Sequence, residues 1–543
     1  MVYFKELCNK DLTYLAIVDH EKDDANSGTR FVTRQSLRSS KGEASVVNKH
    51  CFDPEMSSKF DIAKSDVTAR FLLKSTFKTK ADEYSTYPLL GRRIIVGSMK
   101  WGSNNLKIYG ESRHTAGYWE WTEDVLARFG DILEISSISS AINASLYSYD
   151  KHVPVMRAFF EAWCPTTNTL HTREGELSIS LWDLRMLGGL SIVGELYDET
   201  VPHPSMLKER NVRDGTNVPA TCKYLFAAYH RLVRRSSTSG EVSARQWIDF
   251  WFKRGETYLP PVKKSKTKLR PRSTQNPSGE FDPRPSDEWT EEELAIFERL
   301  GVTSNTQKGK TYLAAYISCW LCTFVLPEDE DRWIRAGTFE TACLMAEGQR
   351  FCLAAPVLTS IYRGLNDLVR SSNPGYSKSY FPAHYLYGWL AYYFNTHHDV
   401  KPEPRGPSMV KYSGAGSALS ITDDDARALI HDEGKAKVSC FIPHKNKADL
   451  LFDNGELESS KFSYLVSLRS TYLCLRMNDF FHVEPYNPQR FSRQFGFYQD
   501  IPDILNRGSD KATGSRREAL KYWQLLLFSG SVSRVFLPSV PIS

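Results

Sequence analysis

The sequence lacks long hydrophobic runs, and this absence predicts a chain without transmembrane helices. Its longest stretch without a charge or a strong turn signal runs from Tyr312 to Leu326. That stretch is shorter than the roughly 20 residues that a helix needs to cross a bilayer. The first residues, Met1 to Asp11, carry charges where a secretory signal peptide needs an uninterrupted apolar core. We therefore expect neither a membrane-spanning segment nor a secretory signal.

Cysteine is also scarce, and the ten cysteines are scattered over 543 residues. This distribution excludes a disulfide scaffold, which concentrates cysteines in a short secreted chain. We therefore expect reduced thiols in an intracellular compartment. Hydrophobic residues make up 41% of the chain and charged residues 24%. Such a composition excludes a mainly disordered or collagen-like protein and predicts a globular chain with room for several domains.

The chain has little net charge, and one short segment accounts for it. There are 69 basic and 64 acidic residues, which gives +5. Residues 263–272 hold six basic residues and no acidic one, so the remainder has 63 basic against 64 acidic residues, or −1. This basic segment predicts a nuclear-import signal or weak, sequence-independent contact with nucleic acid; a solvated loop that does neither is the alternative. The six residues are Lys263, Lys264, Lys266, Lys268, Arg270 and Arg272.

The motifs of several enzyme classes are missing. The sequence contains no Gly-x-Ser-x-Gly elbow, no His-Glu-x-x-His pair and no Gly-Asp-x-His-Gly motif. The nearest approach to a phosphate-binding loop, Gly301 to Thr311, has Ser304 where the first glycine of a P-loop must stand. A Schiff-base lysine, its acidic partner and a phosphate cup for pyridoxal phosphate cannot be assigned either. We therefore expect no cofactor and no catalytic residue.

Three groups of residues have metal-ligand character, and each has an ordinary structural explanation. Cys319 and Cys322 have the spacing of a zinc or redox pair but lie in an apolar helical stretch, so we expect small core residues. Residues 397–399 follow a predicted helix whose C-terminal dipole favours histidine, and residues 423–425 stand at a predicted helix start, where acids are favoured. The last two groups are His397, His398 and Asp399, and Asp423, Asp424 and Asp425.

Composition divides the chain into six predicted parts. These are a polar N-terminal extension (1–68), a mixed α+β part (69–150), the first half of a main domain (151–259), a basic, proline-rich linker or insertion expected to be disordered (260–289), the helical second half (290–530) and a C-terminal tail (531–543). The proline density of the linker forbids regular structure. Thr290 and Glu293 form a capping box that starts a helix ending at Gly301.

The spacing of apolar residues predicts a mainly α (α+β) fold with small β-hairpins. Leu170–Ile179 is typical of a hairpin. In the mixed part, Arg93–Val96 is a predicted strand, and Thr122 is predicted to cap a short helix that ends near Gly130. The other predicted helices are Val155–Trp163, Tyr224–Val233, Trp247–Phe252, Tyr312–Val325, Thr338–Met345, Leu358–Val369, Tyr385–Phe394 and Arg516–Leu527.

The segment from Phe159 to Glu195 combines turn signals with isolated polar residues. Ser180 can cap a helix with Asp183 three residues on, and Gly188-Gly189 stops that helix. Each polar side chain of the segment can serve as a buried hydrogen-bond partner that fixes the packing. These side chains are Glu161, His171, Glu176 and Asp183.

The same segment carries a resemblance to a known family. Phe159-Phe-Glu-Ala-Trp163, Thr167-Asn-Thr-Leu-His171, Gly175 to Leu184 and Gly189 to Glu195 closely resemble the signature of the plant mobile domain, which is also labelled aminotransferase-like. Later stretches, including Arg490 to Gln499, resemble the long, transposon-linked members. The family usually has leucine at position 188 and proline at 191, and these departures predict a looser turn. The matched motif core is Glu161, Trp163, His171, Glu176, Asp183, Gly189 and Gly194.

The resemblance implies a function that composition does not show. Plant mobile domain proteins occur in transposable elements and as host genes; host members are associated with the nucleus, meristem maintenance, transposon silencing and genome stability, and act with phosphatase-like partners. From this resemblance we expect a non-enzymatic nuclear protein-interaction module. Its expected partners are nuclear proteins, phosphatase-like ones among them, with weak nucleic-acid contact and no membrane contact. The alternative is a metal-dependent nuclease or transposition factor that uses residues 397–399 or 423–425.

Overall fold

The structure, a computed structural model, describes most of the chain between residues 88 and 527. The described residues are 32–34, 88–102, 106–172, 175–203, 207, 218–235, 240–258, 283–285, 288–329, 332–399, 406–414, 416–432, 450–452, 459–477, 480–495, 515–527 and 532–535. The basic segment 263–272 lies outside the described residues, so its predicted role stays a prediction. The predicted division into six parts stays a prediction.

Helices dominate the described residues, and the prediction of a mainly α fold with small β elements is confirmed. Residues 321–325 and 428–432 continue two of the helices as π-helical turns, and 3₁₀ turns span 336–338, 408–412 and 488–495. The α-helices are α1 (Leu89–Ile95), α2 (Tyr118–Ile135), α3 (Ser139–Ala144), α4 (Val153–Ala162), α5 (Leu181–Met186), α6 (Cys222–Arg235), α7 (Ala244–Trp251), α8 (Glu291–Leu300), α9 (Asn305–Trp320), α10 (Phe339–Met345), α11 (Ala354–Arg370), α12 (Ala383–Phe394), α13 (Asp423–Arg427), α14 (Ser459–Ser467) and α15 (Arg516–Leu527).

Short strands form five small sheets within the described residues. Their order is β1-β12-β9, β2-β8, β3-β4-β5, β6-β7 and β10-β11; β2-β8 and β6-β7 are parallel pairs and the others are antiparallel. The strands are β1 (Val32–Arg34), β2 (Lys107–Ile108), β3 (Trp163–Cys164), β4 (Thr169–Thr172), β5 (Gly175–Leu177), β6 (Glu195–Leu196), β7 (Phe351–Cys352), β8 (Lys378–Ser379), β9 (Leu450–Phe452), β10 (Thr471–Met477), β11 (Phe480–Tyr486) and β12 (Val532–Val535).

Two predictions in the mixed part are wrong. Arg93 to Ile95 form the end of helix α1 and Val96 is its C-cap; the buried side of the helix is Leu90 and Gly91. A run of four residues is too short for its pattern to distinguish a strand from the last turn of a helix. Thr122 does not cap a helix, because α2 already begins at Tyr118 after Gly117, which is left-handed at φ 78°. The Thr122 hydroxyl instead donates to the Tyr118 carbonyl, 2.7 Å away. Helix α2 is kinked at Phe129, next to the predicted end at Gly130, and continues to Ile135.

One hydrophobic core contains residues from both sides of the linker. Trp121 on α2 packs edge-on against Tyr312 and Tyr316 on α9, with ring centroids 5.7 and 5.3 Å apart. Trp247 on α7 donates from its indole to the Ala315 carbonyl, 2.9 Å away. These aromatic side chains are all buried. The two sides of the linker therefore depend on the same packing.

Candidate functional site

The family motif occupies the small sheet β3-β4-β5 and the helices on either side of it. Strand β4 pairs with β5 as a hairpin in which His171 faces Glu176, so the predicted hairpin is confirmed. Helix α5 begins at Ser180, whose hydroxyl accepts from the Asp183 backbone N–H while the Asp183 side chain accepts from the Ser180 N–H. The predicted cap is therefore present. These local features hold the motif side chains in fixed positions.

Glu176 forms a buried ion pair with an arginine from the far end of the domain. Arg490 donates to both carboxylate oxygens of Glu176 at 2.7 Å. Thr169 donates to the same carboxylate at 3.0 Å, and His171 Nε2 lies 3.7 Å from it. A bidentate arginine pair is the stronger kind of charge-assisted contact. The hairpin is thus fixed to residues 488–495.

Glu161, on helix α4, also forms a buried ion pair with an arginine from a distant part of the chain. Its carboxylate accepts from the Trp101 indole at 2.8 Å and from Arg427 at 2.8 and 3.1 Å. Only 1% of Glu161 is exposed, so its charge depends on these donors for compensation. Arg427 lies on α13, the helix that carries residues 423–425. Glu161 therefore joins the first and second halves of the domain.

Trp163 belongs to a buried chain of hydrogen bonds. Its indole donates to Asn366 Oδ1 at 2.9 Å, and Asn366 Nδ2 donates to Asn168 Oδ1 at 2.8 Å and to Glu484 at 3.3 Å. Asn168 also donates to Glu484, at 3.1 Å. Buried polar groups need such partners because an unpaired one costs its full desolvation energy. This chain ties β3, α11 and β11 together.

Asp183 lies at the centre of the motif and receives several hydrogen bonds. The hydroxyl of Tyr393 donates to it at 2.8 Å, Gln494 at 3.1 Å and the Trp389 indole at 3.3 Å, in addition to Ser180. Burial raises the pKa of this carboxyl to about 6, although the hydrogen bonds from Ser180, Tyr393 and Trp389 oppose the rise. As the pH falls, the carboxyl therefore binds a proton at a higher pH in the folded state than in the unfolded chain.

We expect the folded state to lose stability as the pH rises from about 4 to 6, in proportion to the ionisation of Asp183. The unfolded carboxyl has a pKa of about 3.9, so the folded state binds the proton more tightly within this window. A difference of roughly two pKa units corresponds to a loss of up to about 3 kcal/mol. Urea unfolding of the wild type and of Asp183→Asn at pH 4, 5, 6 and 7 measures it. The difference between the two free energies should change over this window, and a constant difference would contradict the assignment.

The two motif glycines stand where a side chain has no room. Gly189 has φ +70°, and a Cβ there would lie 2.9 Å from the Ala141 backbone nitrogen on α3. Gly194 has φ +135°, and its Cβ would lie 2.7 Å from the Arg350 carbonyl oxygen. Glycine adopts these conformations without the strain of a side chain. Gly188 does not leave the turn loose, because the Tyr385 ring packs against it and its N–H donates to Leu184.

Four of the residues of the nuclease hypothesis, His397 and Asp423 to Asp425, make ordinary structural contacts. His397 is buried, with Nε2 3.0 Å from the Asp150 carbonyl oxygen and Nδ1 2.8 Å from the Thr396 hydroxyl. Residues 423–425 form the first turn of α13, where Asp423 pairs with Arg157 and Asp424 with Arg427. Cys319 and Cys322 are buried in the core, as predicted. Within the described residues, no group of three or more His, Cys, Asp or Glu side chains is arranged to hold a metal.

The partners of the motif were not predicted as such. Arg490 follows Glu176 by 314 residues, and Gln494 follows Asp183 by 311. Only the family resemblance of the stretch Arg490 to Gln499 singled out this region. Asn366, Glu484 and Arg427 carry no sequence signal beyond their polarity.

Three tyrosines flank the sheet β2-β8: the half-buried Tyr109 follows β2, and the exposed Tyr376 and Tyr380 stand before and after β8. Together with Lys378 on β8, we call them the tyrosine patch. The rings of Tyr109 and Tyr380 are stacked with centroids 5.3 Å apart, and the Lys378 ammonium lies 5.2 Å from the Tyr109 ring centroid. The Tyr376 hydroxyl donates to the Gly102 carbonyl at 2.7 Å, which holds the ring against the chain. Tyr376 is 53% exposed and Tyr380 36%. Tyrosine in such a setting is typical of protein-binding surfaces.

The fold and the site together define a mainly α domain whose polar motif holds its two halves together. The model of the plant mobile domain family matches residues 137–530, which is most of the chain, and the protein belongs to that family. No curated protein and no solved structure matches the chain. Among the described residues, no helix is long and apolar enough to span a membrane.

Proposed function

We propose that this plant mobile domain protein is a non-enzymatic nuclear protein-interaction module. Its proposed roles are meristem maintenance and development, and transposon silencing or genome stability. The proposed partners are nuclear proteins, phosphatase-like ones among them. Family membership supports the general class, and the tyrosine patch is the observation on this chain that carries the proposal.

The arrangement of polar residues favours recognition through the surface over chemistry in the motif. Glu161, Glu176 and Asp183 are each at most 4% exposed and each accepts several hydrogen bonds from other protein groups. A carboxylate that is used in this way stabilises packing and has little capacity left for a substrate. The tyrosine patch, by contrast, presents aromatic surface to solvent. Rigid aromatic side chains contribute much of the binding energy in protein interfaces.

Affinity purification of the tagged full-length protein from plant nuclei, with nuclease treatment of half the sample, tests the proposal. We expect specific proteins that remain after nuclease treatment and are lost in the double variant Tyr376→Ser, Tyr380→Ser. The matched control is Ile135→Ser, Val201→Ser, because these side chains are 61% and 64% exposed and lie outside the patch. Recovery of nuclease-sensitive chromatin alone, or equal losses in both variants, would contradict the proposal.

Replacing the six basic residues of segment 263–272 with glutamine is expected to abolish nuclear accumulation. A cluster of basic residues is typical of nuclear-import signals, and the substitution removes all of its positive charge. Fluorescence microscopy of the tagged protein measures the effect. The control replaces six basic residues that are exposed on helices and turns and changes the net charge equally. These are Arg92, Arg93, Lys223, Arg234, Arg235 and Lys411. Unchanged import in the segment variant would argue against this part of the proposal.

The nuclease alternative makes a separate prediction. A metal-dependent nuclease would bind Mg²⁺ or Mn²⁺ and cleave nucleic acid, and both properties would disappear when Asp423, Asp424 and Asp425 become asparagine. Titration calorimetry of the folded protein with each metal measures the first property directly. Metal binding that this substitution removes would replace the interaction-module proposal with the nuclease.

A further inference from the structure

Cys164 differs from the other described cysteines in its surroundings. It is partly exposed, whereas the remaining six in the described part of the chain are buried. Strand β3 pairs with β4 so that Cys164 stands opposite Thr169. In an antiparallel pair, residues two apart on one strand share a face. His171 therefore lies on the same face as Cys164, as its diagonal neighbour.

The imidazole of His171 is held between the sulfur and an acidic group. Its Nε2 is 3.7 Å from Glu176 Oε1, and Glu176 is fixed in turn by Arg490. His431 contacts the backbone of His171, with Nδ1 3.1 Å from the carbonyl oxygen. On the other side, Arg370 donates to the Pro165 carbonyl, 3.0 Å away. Cysteine, histidine and glutamate thus follow one another across three neighbouring strands.

The electrostatics of this arrangement favour the ionised thiol. Burial alone would raise the pKa of Cys164. A hydrogen bond with the His171 ring, the charge of that ring, and hydrogen bonds from Thr167 and the Thr166 backbone outweigh burial and lower the pKa to about 6. The buried Cys319 and Cys352 have no such partner, and burial raises the pKa of both thiols. The difference follows from the histidine together with the threonine hydrogen bonds and the partial exposure of Cys164.

We propose that Cys164 is a thiol-modification site, where His171 holds the sulfur as a thiolate that attacks small electrophiles and peroxides. With an alkyl halide, a sulfur–carbon bond forms as the carbon–halogen bond breaks, and the halide leaves with the electron pair. With hydrogen peroxide, a sulfur–oxygen bond forms as the oxygen–oxygen bond breaks; the sulfur is oxidised to a sulfenic acid and the peroxide is reduced to hydroxide, which takes up a proton to give water.

At pH 6 the Cys164 thiol should react faster than the thiol of an ordinary cysteine. At pH 6 about half of the Cys164 thiol is ionised, against roughly 0.3% for an ordinary cysteine of pKa about 8.5. A thiolate of lower pKa is intrinsically less nucleophilic, by a factor of roughly 10 to 20 over this range. The net expectation is a reaction about tenfold faster than that of an ordinary thiol at pH 6, with an advantage that falls as the pH rises.

Site-resolved alkylation of the full-length protein tests the proposal. Brief exposure to iodoacetamide at pH 5 to 9, followed by digestion and mass spectrometry, gives a rate for the peptide that contains Cys164. We expect a midpoint near pH 6 in the wild type, and a rate at pH 6 at least about tenfold lower in His171→Gln, because burial then acts without the imidazole. His431→Gln is the matched control and should leave the midpoint unchanged.

The buried cysteines report whether each variant is folded. Rapid labelling of Cys222, Cys343 or Cys474 would show that a variant has unfolded. In that case the pH dependence of Cys164 alkylation in the wild type is the test of the proposal. A wild-type midpoint above pH 8 would overturn the proposal without any variant. So would a folded His171→Gln protein that reacts at the wild-type rate at pH 6.

Discussion

Replacing Arg490 with methionine is expected to lower the free energy of unfolding by about 3–5 kcal/mol. The side chain of Glu176 is 5% exposed and that of Arg490 is 10% exposed, so the substitution leaves a carboxylate buried without its main partner. The loss of two hydrogen bonds at 2.7 Å adds to the cost of that charge. Domains are typically stable by about 5–15 kcal/mol. Guanidinium unfolding should therefore show a clearly lower midpoint for the variant than for the wild type.

Two comparisons separate the buried charge from a general effect of losing an arginine. Arg245→Met removes a guanidinium whose contacts with Asp249 and Glu256 are about half exposed, and it should cost less than about 1 kcal/mol. The double variant Glu176→Leu, Arg490→Met removes both charges and should recover much of the loss. A loss below about 1 kcal/mol in Arg490→Met, or a double variant no more stable than the single one, would contradict this account.

The contacts of the motif give a physical reason for its polar residues. Glu161, Trp163, Glu176 and Asp183 come from one short segment, and each has a partner from beyond residue 365. Buried polar pairs have strict geometric requirements, so they fix how the two halves of a domain meet. The motif therefore specifies the packing of the domain.

Local features of this fold were predictable from the sequence because their causes are local. The capping boxes at Ser180 and Thr290 were both predicted, and both are present. Helix α8 ends at Gly301 in the left-handed conformation, as predicted, and α15 has the predicted bounds. In each case the residues that determine the structure lie within a few positions of one another. Capping and turn signals act over that range.

Long-range features were not predictable in the same way. Strands β10 and β11 form the longest hairpin among the described residues, although they lie in the part predicted to be helical (290–530). The pairing of Glu176 with Arg490 depends on how helices and sheets pack, and a single sequence does not contain that information in any short window. The Cys164–His171 contact was missed for a related reason. It requires the register of two strands, which the hairpin signal alone does not give.

The end of the linker contains another long-range contact that was not predictable from the sequence, and its loss should have the second large effect on stability. Arg284 falls inside the segment predicted to be a proline-rich linker, yet it is only 8% exposed. Its guanidinium donates to Asp124 at 2.9 and 3.2 Å, to the Tyr312 hydroxyl at 3.1 Å and to Glu293. Helices α2, α8 and α9 thus meet at one arginine that proline content and charge did not distinguish from its neighbours.

Arg284→Met is expected to destabilise the protein by about 5 kcal/mol, the upper end of the range for a broken buried ion pair. Asp124 and Glu293 are 0% and 1% exposed, so two carboxylates lose a common cation, although Asp124 keeps a second one, Arg128 at 3.3 Å. Chemical unfolding of the full chain measures the loss. Arg299→Met, on the exposed side of α8, should change the free energy by less than about 0.5 kcal/mol.

The Arg284→Met variant also tests whether Arg284 stabilises the whole core or only holds the linker in place locally. If Arg284 belongs to the core, its loss lowers the global free energy of unfolding, and the double variant Arg284→Met, Glu293→Gln recovers part of it because one buried charge is gone. If Arg284 only fastens the linker, limited proteolysis between residues 260 and 289 accelerates while global unfolding is unchanged. The second result would contradict the prediction. Arg284 contacts side chains from both sides of the linker, so we expect its loss to lower the global free energy of unfolding. The linker therefore ends in the same core that contains the residues before it.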